Sequence, residues 1–152
     1  MGGGAGLMAA CDVAVTTRDA KIRFSEVRLG LTPATISPFV VKAIGPRWAK
    51  ALFATGESFD GDYAHQMGLA QYVVETEDEL DDMMEHLAKL AFHAAPGAVA
   101  DAIDLVDEVA YKPIDDHLLR HTARAIADRR ASDEGREGLA AFLEKRKPWW
   151  AE

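Results

Sequence analysis

Two stretches decide how this chain is read: Gly2-Gly3-Gly4-Ala5-Gly6-Leu7-Met8-Ala9-Ala10-Cys11-Asp12, and Ala20-Lys21-Ile22-Arg23-Phe24-Ser25-Glu26-Val27-Arg28-Leu29-Gly30-Leu31-Thr32-Pro33. A run of three glycines brings backbone close to a ligand with no Cβ in the way. The residues behind it, Leu7 to Cys11, are apolar and favour helix. Together they place free N–H groups at a helix N-terminus, where developing negative charge is stabilised. The second stretch sets one carboxylate, Glu26, among apolar neighbours. An oxyanion donor followed by a carboxylate is an acid/base constellation, although triple glycine alone also suits a flexible tail and a lone glutamate suits a solvated strand.

Outward from these stretches, Asp12 to Thr17 reads as a strand in which Val13 and Val15 alternate with smaller residues, and Lys21 to Phe24 as a second. Gly30 and Pro33 mark a turn before a helix that begins near Ala34 or Thr35 and carries Pro38 in its first turn. Gly45 ends it and Pro46 opens the next, through Trp48, Ala51 and Leu52 to Thr55-Gly56. Asp60 is an N-cap for a short helix over Ala64 to Met67. Leu69 to Val74 is the last strand. Thr76 then caps a helix whose first turn, Glu77 to Glu79, is acidic, as the helix dipole prefers.

Beyond that point the pattern is helical. Leu80, Met83, Met84, Leu87, Leu90 and Ala91 recur at helical spacing, and Pro96 starts a helix through Ile103, Val106 and Val109. Leu118, Leu119, Ala123 and Ile126 follow Pro113, and Ser132 caps a last helix to about Lys145. These stripes read as core or subunit-interface faces.

The sequence has 152 residues and a net charge of −8, which argues against a general nucleic-acid or membrane-surface role. One cysteine, Cys11, rules out an intrachain disulfide, suits a reducing cytosol and reads as a packed residue of an apolar helix. Met1 is not followed by a basic segment and an apolar core, so no secretion signal is expected, and no run is long and apolar enough to cross a bilayer. The five histidines carry no metal signature: His117 and His121 stand at i, i+4 without an intervening glutamate. Arg129-Arg130 suits a surface ion pair better than a phosphate.

The two opening stretches, with Ala43-Ile44-Gly45, Thr55-Gly56-Glu57, Ala64-His65-Gln66-Met67-Gly68-Leu69 and Phe142-Leu143-Glu144-Lys145-Arg146-Lys147-Pro148, resemble the enoyl-CoA hydratase/isomerase (crotonase) family along nearly the whole chain. The resemblance implies an α/β fold: residues 1–75 as part of a crotonase β-spiral core, and residues 76–152 as a helical oligomerisation region of a homotrimer or hexamer. Family members carry a further segment before the triple glycine, with the first part of the spiral and a second oxyanion loop. Two-glutamate hydratases have a glutamate where this chain has Gly6, so Glu26 is the one carboxylate of the pair found here.

By this resemblance Gly3 offers the oxyanion N–H and Glu26 is the catalytic acid/base. Gly2 and Gly4 flank the substrate, and Phe142 and Lys145 touch the CoA portion, often of a neighbouring subunit. The substrate is an acyl-CoA thioester and no separate cofactor is implied. The wording from Phe24 to Pro38 is most similar to hydratases of the methylglutaconyl-CoA and isohexenylglutaconyl-CoA type, which favours hydratase over isomerase. A non-catalytic acyl-CoA-binding or assembly module is the reading from another class. The expected location is the cytoplasm.

Overall fold

A computed structural model describes residues 3–151, which form two compact units divided between Glu85 and His86. The first begins with helix α1 (Gly3–Ala10), followed by strands β1 (Val15–Thr17) and β2 (Ile22–Arg23) and a single 3₁₀ turn at Glu26–Leu29. Helix α2 (Ser37–Thr55), β3 (Ser58–Phe59), α3 (Gly61–Gln66) and β4 (Tyr72–Val74) complete the α/β part. Helix α4 (Glu77–Phe92) carries the chain across the division. The second unit continues with α5 (Pro96–Val109), α6 (Asp116–Ala131), α7 (Asp133–Glu144) and a closing 3₁₀ turn at Trp149–Ala151.

Strand pairing is sparse. β1 runs parallel to β4, with Thr16 opposite Val73, and β2 runs antiparallel to β3, with Ile22 opposite Phe59. All three sequence-read strands are shorter than expected, and for β1 and β4 the reason is that flanking backbone groups bond elsewhere. The N–H of Ala14 donates to the side-chain Oε1 of Gln71 at 2.8 Å, so β1 starts only at Val15. The N–H groups of Leu69 and Ala70 both donate to the Ala64 carbonyl, closing α3, and β4 starts at Tyr72. β2 is limited to two residues by a two-residue partner.

Helix signals are followed more closely. α2 starts at Ser37, two or three residues later than expected, because Pro38 has no N–H to donate and must sit in the first turn. Gly45, at φ 74° and ψ 163°, breaks α2 before Pro46, as the sequence indicates. The Asp60 carboxylate accepts from the Tyr63 N–H at 2.9 Å, the Thr76 hydroxyl from Glu79 N–H at 3.2 Å, and the Ser132 hydroxyl from Gly135 N–H at 3.0 Å. Each of these caps satisfies a donor that the helix cannot.

The core of the first unit is built on Phe24, Val40, Ile44, Leu52, Phe59 and Leu69, all nearly or fully buried. Phe24 sits edge-on to Phe53 with ring centroids 5.5 Å apart and tilted against Phe59 at 5.7 Å. Cys11 departs from expectation: it lies beyond the last residue of α1 and is exposed, so it is not a packed helical residue.

Candidate active site

Helix α1 is placed by its middle. Ala5 and Gly6 are buried and the helix packs on α2, which leaves Gly3 and Gly4 exposed at the open N-terminal end. A Cβ added at Gly3 or Gly4 would meet nothing within 4 Å, so no described residue crowds these two positions. The first N–H groups of a helix have no intrahelical acceptor, and here they carry the positive end of the dipole into that space. Gly2, read with them, lies outside the described residues.

Glu26 is placed by anchors on either side of it. Two residues before it, the Phe24 ring is locked in the core at 1 % exposure. Two residues after it, Arg28 Nε donates to the Gly56 carbonyl at 2.9 Å, tying the 3₁₀ turn to the C-terminal end of α2. The Leu31 N–H donates to the Glu26 carbonyl at 3.0 Å and Gly30 closes the turn at φ 72°. Arg28 as a positioning residue was not found from the sequence, because its partner lies 28 positions away.

The carboxylate held this way has an unusual environment. Glu26 is partly buried, and its Oε2 is sealed from solvent without a hydrogen-bond partner among the described residues. A buried carboxylate oxygen normally finds a donor, and an orphan one marks either stored cost or a site awaiting a donor. Arg23 Nε, three residues earlier, is also buried and unpartnered. The apolar neighbours expected around Glu26 divide: Phe24 is core, whereas Leu29 is 73 % exposed and shields nothing in this chain.

Gly6 is the third element. A Cβ there would stand 2.2 Å from Ile36 Cγ2, far inside contact distance, so the volume beside α1 at this position is already filled by Ile36. Whatever acid/base chemistry this unit performs, a side chain at residue 6 takes no part in it.

Phe142 and Lys145 belong to the second unit, at the end of α7. Phe142 is 79 % exposed, and Lys145 caps the helix in the left-handed conformation at φ 54° with its side chain exposed. Arg129 is engaged by Asp101 and by Glu134, the latter at 2.9 Å, which fits the ion-pair reading. Among the described residues, no group of three or more His, Cys, Asp and Glu could hold a metal ion, and no helix is long and apolar enough to cross a membrane.

The first unit thus holds an exposed helix N-terminus at Gly3 and Gly4 and, on a turn tied to the core, a carboxylate with one buried oxygen that lacks a donor. The chain belongs to the enoyl-CoA hydratase/isomerase family, whose sequence model matches residues 1–152. A Legionella pneumophila structure assigned to the enoyl-CoA hydratase/isomerase (crotonase) group is 50% identical, with a TM-score of 0.93 over 98% of this chain and 57% of that one. An enoyl-CoA hydratase/isomerase from Marinobacter aquaeolei is 37% identical, with a TM-score of 0.92 over 100% of this chain and 57% of that one. The Alternaria alternata enoyl-CoA hydratase ACTT6 is 32% identical over 142 residues, 93% of this chain and 47% of that protein. The fold is thus the C-terminal portion of a crotonase fold, and the chain spans about half the length of the relatives it matches.

Proposed function

We propose that this chain carries the carboxylate and one oxyanion donor of an enoyl-CoA hydratase. The observation that carries the reading is the buried, unpartnered Oε2 of Glu26. A catalytic carboxylate needs such a vacancy, because the proton it exchanges belongs to a reactant. In the proposed reaction the thioester carbonyl accepts the Gly3 N–H, between Gly2 and Gly4. Water attacks Cβ of the α,β double bond while Glu26 takes a proton from it, and the π electrons move through Cα to the carbonyl oxygen. The resulting enolate charge lies at the helix terminus. Cα then receives a proton, which Glu26 returns, and the thioester is restored.

Losing one oxyanion donor of this kind costs about a hundredfold to a thousandfold in turnover. A second donor, by the family resemblance, comes from the part of the spiral that precedes the triple glycine. No cofactor is needed beyond the CoA borne by the substrate. We assign Phe142 and Lys145 to that CoA portion: an exposed aromatic ring walls it and an ammonium meets a phosphate. The acyl group we favour is branched, of the methylglutaconyl type, on the wording of residues 24–38. Residues 1–75 form the catalytic core in this reading. Residues 76–152 assemble a homotrimer or hexamer in the cytoplasm, with no nucleic-acid or membrane partner.

The test is turnover of crotonyl-CoA and 3-methylglutaconyl-CoA by this chain, with Glu26→Gln as the control. Hydration that disappears in the variant supports the reading. Hydration that survives it removes Glu26 from the mechanism, and no turnover in a folded, oligomeric sample favours a non-catalytic acyl-CoA-binding or assembly module. The filled space at Gly6 favours a second reading, enoyl-CoA isomerase, in which a single carboxylate shuttles one proton between the α and γ carbons. Double-bond migration without uptake of water would put that reading first.

A further inference from the structure

On α6 the side chains of His117, Arg120, His121 and Arg124 stand at i, i+3, i+4 and i+7, one face of the helix. These four residues alone line a depression of about 240 Å³. A second depression of about 280 Å³ shares His117 and His121 and adds Lys112, Pro113, Asp115 and Leu118. Two of the neighbouring acids are engaged, Asp115 by the Leu118 N–H at 2.9 Å and Glu108 Oε2 by His121 Nε2 at 2.6 Å, while Asp116 and Asp128, four residues before Arg120 and four after Arg124, pair with neither arginine. Among the described residues neither Arg120 nor Arg124 has an ion-pair or hydrogen-bond partner.

That arrangement runs against the rest of the molecule. In a chain of net charge −8, acids are plentiful, yet Arg120 and Arg124, one helical turn apart and lining one depression, pair with none of them among the described residues. Like charges at this spacing repel. His117 lies in the first turn of α6, so the positive end of the helix dipole adds to the same field. The concavity is smaller than the ~300–1,000 Å³ of a site that encloses a whole drug-sized ligand, so it suits a charged head group. Guanidinium forks match phosphoryl oxygens in pairs, and imidazole N–H groups supply further donors.

We propose that this face of α6 binds the phosphate or diphosphate group of a small molecule, with Arg120 and Arg124 as the principal contacts and His117 and His121 as secondary donors. The inference is independent of the reaction proposed above. The probe is inorganic pyrophosphate, titrated calorimetrically into the purified chain at low salt. One saturable site per chain is expected, weakening as salt is raised. The double substitution Arg120→Ala/Arg124→Ala should weaken it at least tenfold with an unchanged circular dichroism spectrum, whereas Arg130→Ala, elsewhere on the same helix, should leave it intact. Arg120→Lys/Arg124→Lys, which keeps the charge and lacks the fork, should fall between. Displacement of pyrophosphate by CoA would identify the source as the phosphates of CoA, and its absence a separate phosphorylated ligand. Failure to saturate, undiminished binding in the alanine variant, or stronger binding of an oligonucleotide than of pyrophosphate would overturn the proposal.

Discussion

The two units solve the problem of stability in opposite ways. In the first, residues 1–85, strands too short to hold a sheet are bound together by a continuous apolar core from Ala5 to Ala70. In the second, residues 86–152, Leu118 and Ala141 are the buried side chains among those described, while Phe92, Val106, Tyr111, Ile114 and Leu143 stand exposed. Its helices are instead joined by polar bolts. The Glu134 carboxylate accepts from the N–H groups of Gly97 and Ala98, at 3.0 and 3.1 Å, and also pairs with Arg129. One side chain of α7 thereby caps α5 and fixes α6. The lesson is that the Glu26 turn is anchored where the core is, whereas the apolar stripes of the other unit are left exposed in the single chain.

The largest effect should separate the units most cleanly. Leu52 is 1 % exposed, and Leu52→Ala should cost about 2–5 kcal/mol through lost burial and the cavity left behind. Val106, 62 % exposed, should cost about 0.5 kcal/mol or less when made alanine. Urea unfolding of both variants measures this. Equal losses would mean that the second unit's stripe is covered in solution, and a loss at Val106 that grows with protein concentration would identify the cover as another copy of this chain.

The bolt comes next. Glu134→Ala should cost about 2 kcal/mol, since it strands two N–H donors at the start of α5 and frees Arg129 from one of its acids. Glu134→Gln, which keeps an acceptor, should recover part of that. Hydrogen exchange read along the chain would place the loss: faster exchange confined to α5 and α7, with α1 and α2 unchanged, sharpens the contrast between the units.

What was legible in the sequence follows the same contrast. Helix boundaries in both units could be read because their causes are local: Asp60, Thr76 and Ser132 cap within three residues of themselves, and Gly45-Pro46 breaks α2 on the spot. Strand extents could not, because they were set by the distant Gln71 side chain and by two N–H groups sharing one carbonyl. In the candidate site, Glu26 and the glycines were singled out by residue type and order. Its supports were not: Arg28 reaches Gly56, and Ile36 reaches Gly6, across separations that no local pattern encodes. The exposure of Leu29 and Cys11 was misjudged for a related reason, since an apolar residue says only that burial is favourable and not that a surface is present to bury it.

Matched caps give a finer test. Asp60→Ala in the first unit and Ser132→Ala in the second each remove one acceptor from a helix start, at about 1 kcal/mol. Measured by thermal unfolding, the two should be alike if capping is local. A much larger loss at Ser132 would show that the coreless unit leans on each cap more heavily than the cored one.

The smallest expected effect uses a pair of arginines that play one part in each unit. Arg18 Nε donates to Glu75 at 2.9 Å and its Nη1 to Asp62 at 2.6 Å, while Arg146 Nη1 donates to Glu137 at 2.6 Å. The hydrogen bond from Arg18 holds the Glu75 carboxyl below its ordinary value of 4.5, and the bond from Arg146 does the same for Glu137. Both arginines are pushed upward and stay charged, so neither titrates in the acid range. A carboxyl depressed in the folded state stabilises it above the unfolded value, and that contribution disappears as pH falls through the lower folded value. Stability should therefore decline as pH drops below about 4.5, and Arg18→Ala or Arg146→Ala should each remove part of the slope. Arg18, Glu75 and Arg146 are exposed and Glu137 partly buried, so salt should erase most of the difference for the Arg18 pair and less of it for the Arg146 pair. Arg146→Ala should therefore flatten the acid limb somewhat more than Arg18→Ala at high salt, since Glu137 is 21 % accessible against 60 % for Glu75, and a difference that grows with protein concentration would show that a second copy covers this face of the second unit.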